Sequence, residues 1–170
     1  FWDINKRYII SFNGEIYNYR ELQGKLTDIG CSLRTSSDTE VLLELIVHFG
    51  IEETLESVRG MFAFVYYDTL TKRMIAVRDH FGQKPLYYSE DDGKLIVASS
   101  IKSIMHLKKS IQPDISAYFT YLCTRGIIHT EDTFFSGIKC LPAGHMLIYD
   151  GKTCKSQEYF SVWNLYNHYG

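Results

Sequence analysis

The sequence contains no long apolar run, no basic stripe and no paired cysteine motif. None of its apolar stretches approaches the roughly 20 residues that a membrane-spanning helix needs. Residues 1–7 lack the charged-then-apolar order of a signal peptide, so we predict a soluble protein with no membrane partner. The 18 lysines and arginines are scattered singly among 20 acidic residues, and the net charge is -2. Because no basic surface could neutralise a run of phosphates, nucleic acid is not an expected partner.

Cysteine and histidine show neither disulfide nor metal-binding spacing. The cysteines lie far apart, in a chain long enough to bury a core without disulfides, so we predict free thiols in a reducing cytoplasm. The six histidines form no His-x-x-x-His pair, and no metal site is predicted. His48 is interpreted as a partner of a helix dipole. The four cysteines are Cys31, which we interpret as a core or strand thiol, and Cys123, Cys140 and Cys154.

A strand, a turn and a helix are predicted near the start of the chain. Residues 7–12 are rich in β-forming residues. Asn13-Gly14 predicts a tight turn, because both residues tolerate positive φ. Gly30 stands where a left-handed helix cap belongs, and residues 31–34 predict a short return strand. The apolar face of the intervening helix consists of Tyr19, Leu22, Leu26 and Ile29.

The next helix has a strong start signal. Ser37 predicts an N-cap, and Glu40 three residues later predicts the reciprocal bond of a capping box. Asp38 falls in the first turn. Gly50 is predicted to end this helix.

The rest of the chain predicts a layered α+β fold. Residues 61–68 are apolar on both alternating faces, which indicates a strand covered on both sides. Such strands meet that condition when two sheets stack with helices outside. We therefore predict a four-layer α-β-β-α sandwich of two mainly antiparallel sheets, with an antiparallel meander in the middle of the chain. Further strands are predicted at 74–77, 86–88, 95–98, 146–149 and 153–159, and helices at 101–107 and from a cap at Asp114 to Gly126, the latter with an apolar face of Ile115, Tyr118, Phe119 and Leu122.

Two polar clusters carry potential chemistry, Asn13-Gly14-Glu15 and residues 37–40. Each also has a purely structural interpretation, because Asn-Gly is common in turns and Ser-x-x-Glu is common at helix starts. The alternative is a ligand site, since an amide, an unshielded backbone N–H and a carboxylate at one strand end could bind a small polar molecule. The two clusters taken singly do not decide between these interpretations.

Five motifs occur in order along the chain, at residues 12–19 followed by Leu22, and at 37–41, 60–64, 78–88 and 141–145. Together they resemble the class II glutamine amidotransferase domain of the asparagine synthetase (glutamine-hydrolysing) family, which has the N-terminal-nucleophile hydrolase fold. The resemblance implies that residues 1–160 form this domain without its N-terminal segment. Residues 161–170 are then expected to connect to a missing C-terminal synthetase domain. Residues 78–88 are interpreted as structural, an ion-paired turn that leads into a strand.

The resemblance implies roles for four residues. Asn13 and Gly14 match the family's catalytic oxyanion donors, one through its side-chain amide and one through its backbone N–H, and both contact the substrate. Glu15 and Asp38 match the carboxylates that bind the α-amino group of glutamine. In the family an N-terminal cysteine thiolate attacks the amide, and its own α-amino group acts as base. Because the sequence begins with Phe1, and the family's carboxylate-binding arginine lies upstream, we expect a fragment that does not hydrolyse glutamine alone.

The implied activity is hydrolysis of glutamine to glutamate and ammonia for an ATP-dependent amidation in a C-terminal domain of the same chain. No cofactor is implied for this domain, whereas ATP and Mg²⁺ are implied for the synthetase domain. A homodimer and the identity of the nitrogen acceptor stay open. One alternative is a non-hydrolytic structural or docking domain, as in β-lactam synthetases, and another is a glutamine-binding sensor. Titration with glutamine and product analysis separates these three hypotheses.

Overall fold

The computed structural model describes residues 1–91, 93–125, 131–163 and 166. Within that part of the chain, no helix is long and apolar enough to cross a membrane. The elements in chain order are β1 (Tyr8–Ile16), α1 (Tyr19–Asp28), α2 (Asp38–Ser57), β2 (Gly60–Asp68), β3 (Met74–Arg78), β4 (Tyr87–Asp91), β5 (Lys94–Ala98), α3 (Ile101–Leu107), α4 (Ile115–Thr124), β6 (Lys139–Cys140), β7 (His145–Tyr149) and β8 (Cys154–Glu158).

The strands form two antiparallel sheets. The larger sheet has the order β1-β2-β3-β7-β8, and the smaller has the order β5-β4-β6. The predicted meander is therefore split, because β2 and β3 belong to one sheet and β4 and β5 to the other. In this order β1 is an edge strand, which leaves one side of its backbone unpaired within the sheet.

Two apolar cores separate the layers. One lies between the larger sheet and helices α1 and α2, and it contains Leu22, Leu42, Phe62 and Phe64. The other lies between the two sheets and contains Ala63, Ala76, Leu86, Tyr88, Leu141 and Leu147. On the outer face of the smaller sheet, α3 packs on β4 and β5, and Lys108 Nζ, directly after α3, donates to Ser89 Oγ at 2.9 Å. The predicted α+β four-layer sandwich is confirmed.

Several local predictions are confirmed as well. Residues 61–68 lie in β2, and the helix over 101–107 has the predicted bounds. Gly30 adopts a φ of 82° after α1, and the Asp114 carboxylate accepts the Ala117 N–H at 3.0 Å as the cap of α4. All four cysteines are free thiols.

The predicted turn at Asn13-Gly14 is wrong. Both residues lie inside β1, which continues to Ile16 and pairs throughout with β2. Strand pairing outweighs the turn propensity of Asn-Gly. Every residue from Asn13 to Ile16 pairs with a residue of β2, and this ladder keeps the backbone extended. The chain turns only after β1, before α1 begins.

The start of α2 also differs from prediction. The Ser37 hydroxyl accepts the Thr39 N–H at 3.2 Å, as an N-cap does. Glu40, however, is buried and accepts the backbone N–H groups of Arg34 and Thr35 at 3.0 and 2.6 Å. Glu40 therefore holds the preceding loop and does not complete a capping box. Consequently residues 31–34 form a loop and not the predicted strand.

Two helix predictions differ from the structure, the end of α2 at Gly50 and the buried face of α4. Gly50, at a φ of 83°, ends the first segment of α2, but a second helical segment follows to Ser57. The predicted apolar face of α4 is exposed, with Ile115 at 71%, Phe119 at 68% and Leu122 at 76%. Periodicity shows that a helix has an apolar face but not that the chain covers it.

Some predictions fall outside the described residues. They are the helix end at Gly126, the histidines His129 and His168, and residues 164, 165 and 167–170 of the predicted connector.

The short strand β6, in contrast, was not predicted, because two residues carry too little periodicity to be recognised.

The segment after β3 is structural, but it is not an ion-paired turn. The Arg78 guanidinium donates at 2.7–2.8 Å to the carbonyl oxygens of Gly82, Lys84 and Leu141. The buried Asp79 carboxylate accepts at 2.9–3.1 Å the N–H groups of Phe81, Gln83 and Lys84. Both charges are thus satisfied by the main chain, which fixes this loop.

Candidate functional site

The end of β1 brings all four sequence-predicted residues together. Asn13, Gly14 and Glu15 are consecutive in β1, and Asp38 is the first residue of α2. The Asp38 Oδ2 atom accepts the backbone N–H of Ile16 at 3.1 Å. This bond joins the start of α2 to the residue that follows Glu15, so the two polar clusters form one site.

Hydrogen-bond alternation decides which backbone groups of β1 face away from β2. The Thr69 N–H donates to the Arg7 carbonyl at 2.9 Å, and the Tyr17 N–H donates to the Arg59 carbonyl at 2.7 Å. Both pairs follow the register of β1 and β2. The odd-numbered residues of β1 therefore bond to β2, and the even-numbered residues direct their N–H and C=O groups to the free edge.

Contacts on the free edge agree with this alternation. The Phe1 amino group donates to the Ile10 carbonyl at 2.8 Å, and the Ile10 N–H donates to the Phe1 carbonyl at 2.9 Å. At the other end of the edge, the Ile16 N–H is bound by the carboxylate described above. Between these two points, the N–H groups of Phe12 and Gly14 point away from β2. Both donors are therefore directed to the free edge of the sheet.

Gly14 allows an unusually close approach of two backbones. A Cβ atom added at this position would overlap the Met61 carbonyl oxygen and lie 2.7 Å from the Phe62 Cα atom. Both neighbours are main-chain atoms of β2 and cannot move aside independently. Glycine is therefore required for β1 and β2 to pair at this distance.

The Asn13 side chain lies on the face of the larger sheet that is turned toward the smaller sheet, away from α1 and α2. It lines a small cavity of about 80 Å³ that lies between the sheets, where its neighbours include Ser11, Ala63, Leu86 and Val97. Glu15, two residues along the strand, is exposed on the same face. The amide, the carboxylate and the outward Gly14 N–H thus occupy one strand end.

Asp38 is held by the helix start and by the loop before it. A negative charge in the first turn of α2 is favoured by the free N–H groups there. Burial opposes the charged form of the neighbouring Glu40, but hydrogen bonds from Thr35 and Arg34 outweigh it and hold the pKa of Glu40 below its usual range. Because the ionised Glu40 fixes this loop, it also fixes the position of Asp38.

A larger cavity of about 780 Å³ lies beyond the end of β1 and was not predicted. Its lining includes Tyr17, Arg59, His80, Gln83 and Phe160, which come from separate segments of the chain. Burial lowers the pKa of His80, and the positive charge of Arg59 lowers it further, against a smaller opposing effect of Asp79. Tyr17 lies in the motif at residues 12–19, and His80 and Gln83 lie in the motif at 78–88. No local pattern shows, however, that these segments line one cavity.

Asn18 is a second residue that sequence reasoning did not assign. Its side-chain Nδ2 donates to the Ser57 carbonyl at 3.0 Å, and its Oδ1 accepts the Arg59 N–H at 2.9 Å. These bonds tie the segment after β1 to the loop that joins α2 and β2. Asn18 therefore positions the strand end, and its place in the motif at residues 12–19 was the available signal.

A family model described as "Glutamine amidotransferase domain" matches residues 1–160. The chain is 42% identical over 118 residues to the Bacillus subtilis protein named asparagine synthetase [glutamine-hydrolyzing] 1, covering 69% of this chain and 18% of that protein. It is 33% identical over 162 residues to asparagine synthetase [glutamine-hydrolyzing] 2 of the same organism, covering 92% of this chain and 21% of that protein. The chain thus spans about a fifth of the length of these relatives.

A solved structure agrees with the fold. The glutamine phosphoribosylpyrophosphate amidotransferase from B. subtilis, complexed with ADP and GMP, superposes with a TM-score of 0.66 at 24% identity. The match covers 95% of this chain and 31% of that one. At this identity the likeness concerns the fold alone.

The close backbone approach at Gly14 can be tested by adding a methyl group. We expect Gly14→Ala to destabilise the protein by about 2 kcal/mol, because the added Cβ overlaps main-chain atoms of β2. The matched control is Gly24→Ala in α1, where no atom lies within 4 Å of the added Cβ and the higher helix propensity of alanine should stabilise. Urea unfolding measures both changes. Equal stability of Gly14→Ala and the unchanged protein would contradict the prediction.

Proposed function

Since the chain belongs to the glutamine amidotransferase domain family, we propose that the end of β1 binds glutamine and stabilises the oxyanion formed when its side-chain amide is hydrolysed to glutamate and ammonia. The observation that carries this proposal is the outward Gly14 N–H, located between the Asn13 side chain and a carboxylate fixed at Ile16. The names of the relatives, glutamine-hydrolysing asparagine synthetases, support the choice of substrate.

Two donors at this strand end fit an oxyanion hole. The strand ladder directs the Gly14 N–H to the free edge, and the absence of a Cβ allows β1 to pair with β2 at this point. The Asn13 side-chain amide is the second donor. Preorganised donors of this kind stabilise the negative oxygen that develops when a nucleophile attacks the amide carbon, and they need no rearrangement during the reaction.

Two carboxylates fit the α-amino group of glutamine. Glu15 is exposed at the strand end, and Asp38 retains acceptor capacity beyond the Ile16 N–H that its Oδ2 atom accepts. A carboxylate has about four lone-pair sites, so Asp38 can bind the backbone and an ammonium group at the same time. Charge-assisted hydrogen bonds to both carboxylates would orient the substrate with its amide toward the oxyanion donors.

None of these four residues supplies a nucleophile. We assign that role to an N-terminal cysteine thiolate, with its α-amino group as base, as the family resemblance implies. The inactivity of residues 1–170 by themselves therefore stays a prediction, because the proposed site stabilises and binds but does not attack. Ammonia release from glutamine by these 170 residues alone would contradict it.

The fate of the ammonia is also a proposal. The relatives are several times longer than the matched region, which supports a further domain in the same chain. We assign to that domain the amidation of a carboxylate with ATP and Mg²⁺, and to residues 161–170 the connection to it, with residues 1–160 as the glutaminase domain. The carboxylate that accepts the nitrogen is not assigned.

The role of Asn13 predicts a defect in turnover. In the full-length protein we expect Asn13→Ala to lower the kcat of glutamine hydrolysis by roughly 10²–10³, the usual effect of losing one oxyanion donor, with a smaller change in KM. Ser11→Ala is the matched control, because Ser11 lies on the same face of β1 and lines the same cavity. Steady-state ammonia release measures both. Equal effects of the two substitutions would show that Asn13 has no special role.

The role of Asp38 predicts a defect in binding. Asp38→Asn retains an oxygen that can accept the Ile16 N–H but removes the charge. We expect the KM for glutamine to rise about tenfold to hundredfold, as for the loss of one charge-assisted bond, while synthesis driven by added ammonia is unchanged. The control Ser37→Ala removes the helix cap and should cost about 1 kcal/mol of stability without raising KM. A parallel loss of glutamine-driven and ammonia-driven synthesis in Asp38→Asn would assign Asp38 to the fold.

A further inference from the structure

Three side chains of metal-binding type meet where α1 and α2 pack together. Cys31 follows the left-handed cap of α1, and Glu44 and His48 lie one turn apart on α2. One ligand atom from each residue, a sulfur, a carboxylate oxygen and an imidazole nitrogen, lies within 4.8 Å of the other two. No linear motif signals this group, because the sulfur comes from a different segment than the helical pair.

We propose that Cys31, Glu44 and His48 bind one Zn²⁺ ion. A combination of thiolate, imidazole and carboxylate ligands suits zinc, which binds these groups at about 2.0–2.3 Å in tetrahedral geometry. Two ligands of such a tetrahedron are separated by about 3.3–3.8 Å. A nitrogen and an oxygen ligand of one zinc ion are about 3.4 Å apart, and each is about 3.6 Å from a thiolate sulfur. The His48 Nε2 and Glu44 Oε2 atoms are 3.8 Å apart, and Cys31 Sγ lies within 4.8 Å of a ligand atom of each. Side-chain shifts of up to about 1.2 Å therefore complete the set.

The backbone holds the three residues in place. The Cys31 N–H donates to the Leu26 carbonyl at 2.9 Å, which fixes the residue against the end of α1. Glu44 and His48 face the same side of a regular stretch of α2, as residues four apart do. The Glu44 side chain is 13% exposed and that of His48 is 41% exposed, so a water molecule can reach the fourth position of the tetrahedron.

The surrounding charge favours a cation. Burial raises the pKa of Glu44, and the carboxylates of Asp3 and Glu40 raise it further, whereas His48 and Arg34 oppose them. Arg34 is itself paired with Glu40 at 3.2 Å. The group therefore carries more negative than positive charge, and a divalent ion would relieve the repulsion among its carboxylates.

Zinc binding has a defined proton balance. Burial, followed by the charges of Glu44 and Glu40, raises the pKa of the Cys31 thiol. Formation of the Zn–S bond requires the thiolate, and the proton leaves to solvent.

Cobalt titration tests the proposal directly. The full-length protein, stripped of metal with a chelator, is titrated with Co²⁺, and bound Zn²⁺ is then measured by displacement of the cobalt absorption. We expect one equivalent of Co²⁺ to bind with the thiolate-to-cobalt absorption of a cysteine ligand and with intense visible bands of four-coordinate geometry. Zn²⁺ should displace it and raise the unfolding temperature, since only the folded chain assembles the three ligands.

Matched variants separate this group from adventitious metal. We expect Cys31→Ser to abolish the thiolate band and His48→Gln to weaken Zn²⁺ binding at least about tenfold. Cys123→Ser, which removes an exposed thiol on α4, should change neither. His48 is exposed enough to be replaced without loss of the fold, so its variant remains informative if Cys31→Ser unfolds. Failure to bind one equivalent, or unchanged Zn²⁺ affinity in His48→Gln, would overturn the proposal, as would loss of the band in Cys123→Ser.

Discussion

Nine consecutive residue pairs join β1 to β2, from Tyr8 opposite Asp68 to Ile16 opposite Gly60. This antiparallel ladder determines which backbone groups point to the free edge and which side chains face the smaller sheet. A slip of one residue would exchange the two faces and the two edges of β1. The Asn13 side-chain amide would then face the helices, and the Gly14 N–H would donate a hydrogen bond to β2 and no longer point to the free edge. The proposed oxyanion site depends on this register more than on any single side chain.

The strand end that carries the site is held from three sides. A Cβ at Gly14 or at Gly60 would overlap the main chain of the opposite strand. Asp38 binds the strand through the Ile16 N–H, and Asn18 binds the loop before β2. Such fixation from the scaffold is what a preorganised site requires, because donors that must rearrange lose their catalytic advantage.

The loop between α1 and α2 connects the proposed glutamine site to the proposed zinc site. Cys31 stands at its start, and Ser37 caps α2 at its end. The buried Glu40 of α2 binds Arg34 and Thr35 in the middle of this loop. Glu44 lies six residues after Asp38, about 9 Å along the helix axis. A metal ion at Cys31 would therefore fasten the same loop that Glu40 already holds.

The sequence alone determined the layered fold and the order of most elements, because these follow from local apolar periodicity. Its contiguous motifs also carry the family resemblance that implies the four candidate site residues. Only the tertiary structure decided how the residues are used. Asn13 and Gly14 predicted a turn, yet strand pairing with β2 extends them, since a complete hydrogen-bond ladder outweighs a local turn preference. The exposed face of α4, the large cavity at His80 and the meeting of Cys31 with Glu44 all depend on contacts between distant segments. Local sequence patterns do not show such contacts, because the chain forms them only when it folds.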